Sequence, residues 1–138
     1  MRDALKYIEL KTGQADKGPA WIARVKLSRS RTTVYFNGKA LKRGGGMSGN
    51  HFDIQTGEEY WVSGVKKDGK DRHWAGSGKV AIEASAVEEY LRLIGAGELD
   101  RSRLVVVDDL EDPDPSKFYD LENELLEAPI QEGSGKPA

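Results

Sequence analysis

Apolar and polar residues alternate in short runs along the first eighty residues, the spacing of a β-strand with one buried face. The clearest run is WIARVKL at 21–27, in which every second residue is apolar. Further runs that predict strands stand at 6–11, 32–36, 39–43, 51–54, 60–65 and 79–82. The dipeptide Asn37-Gly38 tolerates the positive φ angles of a two-residue turn, so it predicts that 32–36 and 39–43 form a hairpin.

A second hairpin is predicted within residues 59–78, EYWVSGVKKDGKDRHWAGSG. Its first strand begins at Tyr60, with Tyr60 and Val62 on one face and Trp61 on the other. A turn at 68–69, Asp-Gly, leads to a return strand at 72–74. Four cations surround the predicted tip: Lys66, Lys67, Lys70 and Arg72. The strands of this hairpin would therefore be apolar where they begin, and its turn would be surrounded by positive charge.

One helix is predicted after the strands, over residues 85–94. Ser85 and Glu88 have the spacing of a capping box, in which each side chain meets a free backbone N–H of the first turn. One apolar stripe follows at helical spacing: Val87, Tyr90, Leu91 and Ile94. Gly95 is a natural terminator because glycine readily adopts the left-handed conformation.

The composition changes after Gly97. LVVVDD at 104–109 indicates one more strand, and Ser116 is positioned to cap a helix over about 116–127. The apolar side of that helix would carry Phe118, Leu121 and Leu125. We therefore expect a mostly β domain over 1–97 and an acidic helical extension over 98–138 with a disordered end. The domain would be a small curled antiparallel sheet or SH3-like partly open barrel of five or six strands, closed by helix 85–94.

Charge is divided unevenly, although the net charge is only -2. Residues 1–79 contain 16 Lys and Arg against 8 Asp and Glu, whereas residues 80–138 contain 5 against 15. Such asymmetry indicates an anionic partner for the basic part, or screening of one part by the other. The chain contains no cysteine, which excludes disulfides and thiol chemistry and fits a reducing cytoplasm. No run approaches the 20 or so apolar residues of a membrane span, so we expect a cytoplasmic protein without membrane contact.

The basic residues and the tryptophans together predict a binding surface. Cations hold phosphates and exposed aromatic rings stack unpaired bases, as in small barrels that bind single strands. The predicted binding residues are Arg43, Trp61, Lys66, Lys67, Lys70, Arg72, His73 and Trp74. The alternative interpretation is an ordinary solvated surface with its aromatic residues in the core.

Two glycine-rich stretches, GGGMSGN at 44–50 and AGSGK at 75–79, resemble phosphate-binding loops. Neither completes a P-loop, because His73 and Val80 stand where that motif requires Gly and Ser or Thr. His51 and His73 form a candidate acid–base pair for a metal-independent phosphodiester reaction. Adding Asp53 to this pair gives an incomplete metal site, and we predict neither a metal nor a cofactor.

The run KYIELKTG…EYWVSGVKK…DRHWAGSGK resembles a family of short bacterial proteins over roughly residues 6–94. Some members carry the name 1-deoxy-D-xylulose-5-phosphate synthase. A thiamine-diphosphate enzyme of that kind needs a Gly-Asp-Gly motif and two large α/β domains, and this chain has neither. The resemblance therefore implies no cofactor, substrate or catalytic residue.

Three functional hypotheses follow. The first is a non-catalytic binding module whose basic, aromatic β face takes nucleic acid or an acidic protein surface. The second is an enzyme that uses His51 and His73. The third is an adaptor that contacts other proteins through the acidic amphipathic helix.

Overall fold

The computed structural model describes residues 2–12, 18–46, 48–72 and 78–127, and within helix α2 it describes side chains only as far as residue 123. These ranges contain strands β1 (Arg2–Leu10), β2 (Ala20–Leu27), β3 (Thr33–Phe36), β4 (Lys39–Arg43), β5 (His51–Asp53), β6 (Glu59–Gly64), β7 (Val80–Glu83) and β8 (Leu104–Val107). The α-helices are α1 (Val87–Ile94) and α2 (Tyr119–Glu127). Each follows a short 3-10 helix, at Ala84–Ala86 and Pro115–Phe118.

Strands β1 to β6 form a closed antiparallel barrel, which confirms the prediction of a small barrel in a mostly β protein. Each strand pairs with the next along the chain, and β6 returns to pair with β1. The β1–β6 pairing closes the barrel that we expected to be partly open. Alternate residues point inward and form the core, among them Ile8, Val25, Phe36, Leu41 and Val62. The predicted Asn37-Gly38 turn is present, with φ angles of 49° and 72°.

Strands β7 and β8 differ from the predicted antiparallel arrangement. β7 pairs in parallel with the first half of β2, and β8 pairs in parallel with β7. Parallel neighbours need a long crossover, which α1 supplies between β7 and β8. A second core, outside the barrel, fills the space between these strands and α1; it includes Tyr7, Ile22, Ile82, Tyr90 and Leu104. The predicted apolar stripe of α1 faces this second core.

The predicted hairpin over residues 60–74 is wrong. β6 takes both its partners from the barrel, β1 and β5, so it leaves no edge for a return strand. Residues 65–72 form an irregular loop that does contain the predicted turn, since the Gly69 N–H donates to the Lys66 carbonyl over 3.1 Å. His73 and Trp74 lie outside the described residues.

Both predicted helix starts need correction. α1 begins after the 3-10 helix, and neither Ser85 nor Glu88 forms the expected cap, since no side chain caps this helix. At the second helix the Asp114 carboxylate accepts the Ser116 N–H over 3.1 Å, so Asp114 is the capping residue. The predicted stop at Gly95 is confirmed, because its φ of 72° is left-handed.

Several side chains within residues 98–123 pack against the rest of the chain. Leu99 and Leu104 are buried in the second core. Phe118 is buried on the outer face of the barrel against Tyr35, with 6.1 Å between the ring centroids. The Tyr35 hydroxyl donates to the Glu122 carboxylate over 2.7 Å. The apolar side predicted for the second helix is therefore occupied within the chain at Phe118.

Candidate site for an anionic partner

The barrel gathers three loops at one of its ends. β2, β4 and β6 finish at that end, where the register aligns Lys6 with Gly64 and Arg43 with His51. The end of β4 and the loops after β2 and β6 carry five exposed cations, which we call the cationic end: Arg29, Arg31, Arg43, Lys66 and Lys67. The loop after β2 touches the end of β4 directly, since the Arg43 N–H donates to the Thr32 carbonyl over 2.6 Å. The predicted cations Arg43, Lys66 and Lys67 thus lie at or just beyond the ends of two strands that finish at the same end of the barrel.

The cations of the cationic end, unlike five other basic residues of the described chain, form no ion pair. Arg24, on the side of the barrel, binds Glu89 at 2.7 Å, and Lys117 binds Glu111 at 3.4 Å. Within the described parts of the chain, no ion pair involves any of the five side chains of the cationic end. Their charge is therefore available to an external anion.

Trp61 is exposed on the flank of the barrel, as a stacking role requires. Trp61 is 42% accessible, and its side chain faces outward from β6 beside Glu9 of β1. Three residues separate Trp61 from the end of β6, beyond which Lys66 and Lys67 follow. The exposed indole thus lies on the strand that leads to two cations of the cationic end.

Arg72 does not belong to this surface, contrary to the prediction. It is only 9% accessible, and its guanidinium donates to the Gly18 carbonyl. It also lies beside the Tyr7 hydroxyl, which donates to Glu9 over 2.7 Å. Burial, and then this hydrogen bond, raise the pKa of Tyr7. Arg72 is therefore a structural cation. Sequence spacing could not show this, because the loop turns back over the outer face of β1.

Lys70 is exposed and lies in the same turn as Lys66, whose carbonyl accepts the Gly69 N–H over 3.1 Å. The Lys70 N–H donates to the Asp68 carboxylate over 2.8 Å, in the turn where Gly69 approaches Tyr90 of α1. The other two predicted binding residues, His73 and Trp74, lie outside the described residues. Arg29 and Arg31 join the site although they were not among the predicted binding residues. The basic turn SRSR was the signal in the sequence, but only the strand register shows which end of the barrel it occupies.

His51 is buried just inside the cationic end. The side chain of Asn50 fixes its protonation, because Asn50 Oδ1 already accepts the Val62 N–H over 2.8 Å and lies 2.9 Å from His51 Nδ1. Nδ1 must therefore donate, which leaves the lone pair on Nε2. Burial, and then the charges of Arg43 and Lys6, lower the pKa of His51 to about 4. Such a weakly basic and enclosed imidazole is poorly suited to acid–base catalysis near neutral pH.

We expect the free energy of unfolding to fall by about 2 kcal/mol at pH 5 through His51 alone. Its pKa is about 4 in the folded chain and near 6.5 when unfolded, so between these values the unfolded state binds more protons. Stability from this group is complete above pH 6.5 and declines as the pH falls. Urea unfolding at pH 7 and pH 5 should show a smaller loss in His51→Gln than in the wild type. An equal loss in both proteins would contradict this assignment.

The glycine-rich loop at 44–50 already holds an anion from its own chain. Glu59 Oε1 accepts the N–H groups of Ser48 and Gly49, over 3.1 and 2.8 Å. A Cβ added at Gly46 would meet the same carboxylate. The N–H groups of Ser48 and Gly49 are therefore used to bind Glu59 and are not free for an external phosphate.

Comparison of the chain with protein-family models, curated proteins and solved structures yields no match. Within the described residues, no group of three His, Asp or Glu side chains is arranged to hold a metal ion. No helix there is long and apolar enough to cross a membrane. The candidate site is thus defined by its own geometry: five exposed cations without ion pairs in the described chain at one end of the barrel, and an exposed indole on the flank of β6.

Proposed function

We propose that this protein is a non-catalytic, cytoplasmic binding module that takes single-stranded nucleic acid at its cationic end. The observation that carries the proposal is the presence of five exposed cations without an ion pair in the described chain at one end of the barrel: Arg29, Arg31, Arg43, Lys66 and Lys67. A strand of phosphates neutralises such a group with release of its counterions. Small barrels with a cationic groove and an aromatic platform bind single strands in this way.

Trp61 favours nucleic acid over an acidic protein surface. An indole face stacks on any base, and such stacking contributes about 1–3 kcal/mol per base. An acidic peptide gains little from the same ring. Double-stranded nucleic acid offers no unpaired base to an indole on the side of a barrel, so a single strand fits this arrangement best.

The two other hypotheses are less well supported. An enzyme that uses His51 would need an accessible base, and His51 is 4% accessible with a pKa of about 4. An adaptor that docks through the acidic helix would need a free apolar side, and Phe118 of that side is buried against Tyr35.

The test is binding of a fluorescent 20-nucleotide oligo(U) and oligo(dT) to the full chain across a salt series. The full chain is needed because residues 98–127 contribute to both outer clusters of buried residues. We expect affinity to fall steeply with salt, as phosphate contacts require. The triple variant Arg43→Gln, Lys66→Gln, Lys67→Gln should bind at least about tenfold more weakly at low salt, with a shallower slope of about 0.7 per lost contact.

The matched control removes three cations that already have acidic partners: Lys26, Arg92 and Lys117. This variant has the same net charge as the triple variant, and we expect it to bind nearly as well as the wild type. Equal losses in both variants would show that net charge alone governs binding, and the site would be wrong. Trp61→Ala separates the partners: a loss with oligo(U) but none with poly-glutamate supports stacking on bases. Binding to poly-glutamate alone would favour an acidic protein partner.

A further inference from the structure

Strand β8 is an open edge of the sheet. β7 pairs with one of its sides, and within the described residues no strand pairs with the other. Proteins usually protect such edges with lysine, proline or a bulge. The sequence of β8, LVVV, has none of these devices, and Val105 is 45% accessible. The six barrel strands avoid this problem by closure, so the unprotected edge is confined to the strands outside the barrel.

The backbone groups on this edge can be assigned from the ladder. Val80 donates to the Arg103 carbonyl over 2.9 Å, and in a parallel pair alternate residues bond to the same neighbour. Residues 103, 105 and 107 therefore face β7, and Leu104, Val106 and Asp108 face outward. The Leu104 N–H is already used, because it donates to the Asp100 carbonyl over 3.0 Å. Four backbone groups remain for an incoming strand: the N–H and the carbonyl of Val106, the Leu104 carbonyl and the Asp108 N–H.

The charges around β8 complement those of an identical strand that runs the opposite way. Arg101 and Arg103 precede the four apolar residues, and Asp108 and Asp109 follow them. All four are exposed. An antiparallel copy brings each basic end beside an acidic end, whereas a parallel copy would align like charges. The charges at this edge therefore favour pairing with a second copy of this chain in the antiparallel direction.

We propose that two copies of this protein associate through antiparallel pairing of their β8 strands about a twofold axis at Val106. The two Val106 residues exchange N–H to carbonyl bonds, and each Asp108 N–H donates to Leu104 of the second copy. This register uses the four free groups and leaves the occupied Leu104 N–H aside. It also places Arg103 opposite Asp109 of the second copy, and exposed Val105 opposite Val107 of the second copy.

Sedimentation velocity of the full chain across a concentration series tests the association, since the monomer is 15.2 kDa. We expect a shift to twice that mass, and concentration-dependent hydrogen-exchange protection of the Val106 amide. Val106→Pro removes the outward N–H and leaves the β7 ladder intact, because proline is tolerated on the free side of an edge strand. This variant should remain folded by circular dichroism and lose the dimer.

Charge exchange gives a second measurement that does not depend on the proline variant. The dimer contains two pairs of residues 103 and 109, one at each end of the paired strands. Asp109→Arg alone places two positive charges in each pair, and Arg103→Asp alone places two negative charges in each pair. Each should weaken association about 2- to 30-fold, from two cross-strand pairs of 0.2–1 kcal/mol. The double variant restores both pairs and should recover most of the lost affinity. Asp120→Arg, at an exposed position on α2, is the control and should leave association unchanged.

Three results would overturn the proposal. One is a chain that stays monomeric at the highest soluble concentration. Another is Val106 protection that does not vary with concentration, which would mean that the edge is covered within one chain. The third is a double charge variant no better than the single variants, which would place the contact elsewhere.

Discussion

Replacing Arg72 with methionine is expected to lower the free energy of unfolding by about 3 kcal/mol, as for the loss of one partner from a buried charged network. The guanidinium binds the Gly18 carbonyl and lies beside the Tyr7 hydroxyl, which itself donates to buried Glu9. Methionine fills similar space but donates no hydrogen bond. The Gly18 carbonyl and the Glu9 carboxylate would then lose a nearby positive charge in a site with little water.

Urea unfolding followed by tryptophan fluorescence measures this loss, and Arg43→Met is the matched control. Arg43 is an exposed cation without an ion pair in the described chain, so its replacement should change stability by less than about 0.5 kcal/mol. The two variants should show opposite behaviour in the oligonucleotide assay, in which Arg43→Met weakens binding and Arg72→Met does not under native conditions. If Arg72→Met were as stable as the wild type, Arg72 would not be a structural cation.

Phe118→Ala is expected to destabilise the protein by about 3 kcal/mol, the usual cost of removing a buried aromatic ring. Phe118 is 2% accessible and packs with Tyr35 and Ala40 on the outside of β3 and β4. Its loss would leave a cavity over the barrel and would release the start of α2. Unfolding should remain a single transition, because residues 98–127 share their cores with the rest of the chain.

Tyr119→Ala is the control for Phe118→Ala. The neighbouring side chain is 51% accessible, so its removal should cost less than about 1 kcal/mol. Equal effects of the two substitutions would argue against the packing of this segment on the barrel. A separate early transition in Phe118→Ala would instead show that residues 98–127 unfold independently.

Elements governed by local physical chemistry were predictable from the sequence. The alternation at 21–27 predicted a strand with one face in the core, and Asn37-Gly38 predicted a turn that few other residues permit. Gly95 ended a helix for the same conformational reason. Long-range choices were not predictable. The pattern of β6 was that of a strand, but nothing in it showed that β1 and β5 would outcompete a hairpin partner.

The sequence predicted which types of residue would form the candidate site, but it did not predict which individual residues belong to it. Positive charge and tryptophan could be counted, whereas burial depends on how a loop folds back. Arg72 and Lys67 have the same charge and lie five residues apart, yet one is enclosed against β1 and the other is in solvent. Arg29 and Arg31 become part of the site only because β2 and β4 end on the same side of the barrel.

The closed meander described for β1 to β6 also implies an order of assembly. Five of its six pairings join strands that are consecutive in sequence, and hairpins of this kind form within microseconds. The sixth joins β1 to β6 across the whole barrel sequence, so its closure carries the largest loss of chain entropy. We therefore expect that seam to form last and to set the folding rate. Until it forms, β1 and β6 remain as free edges of an incomplete sheet.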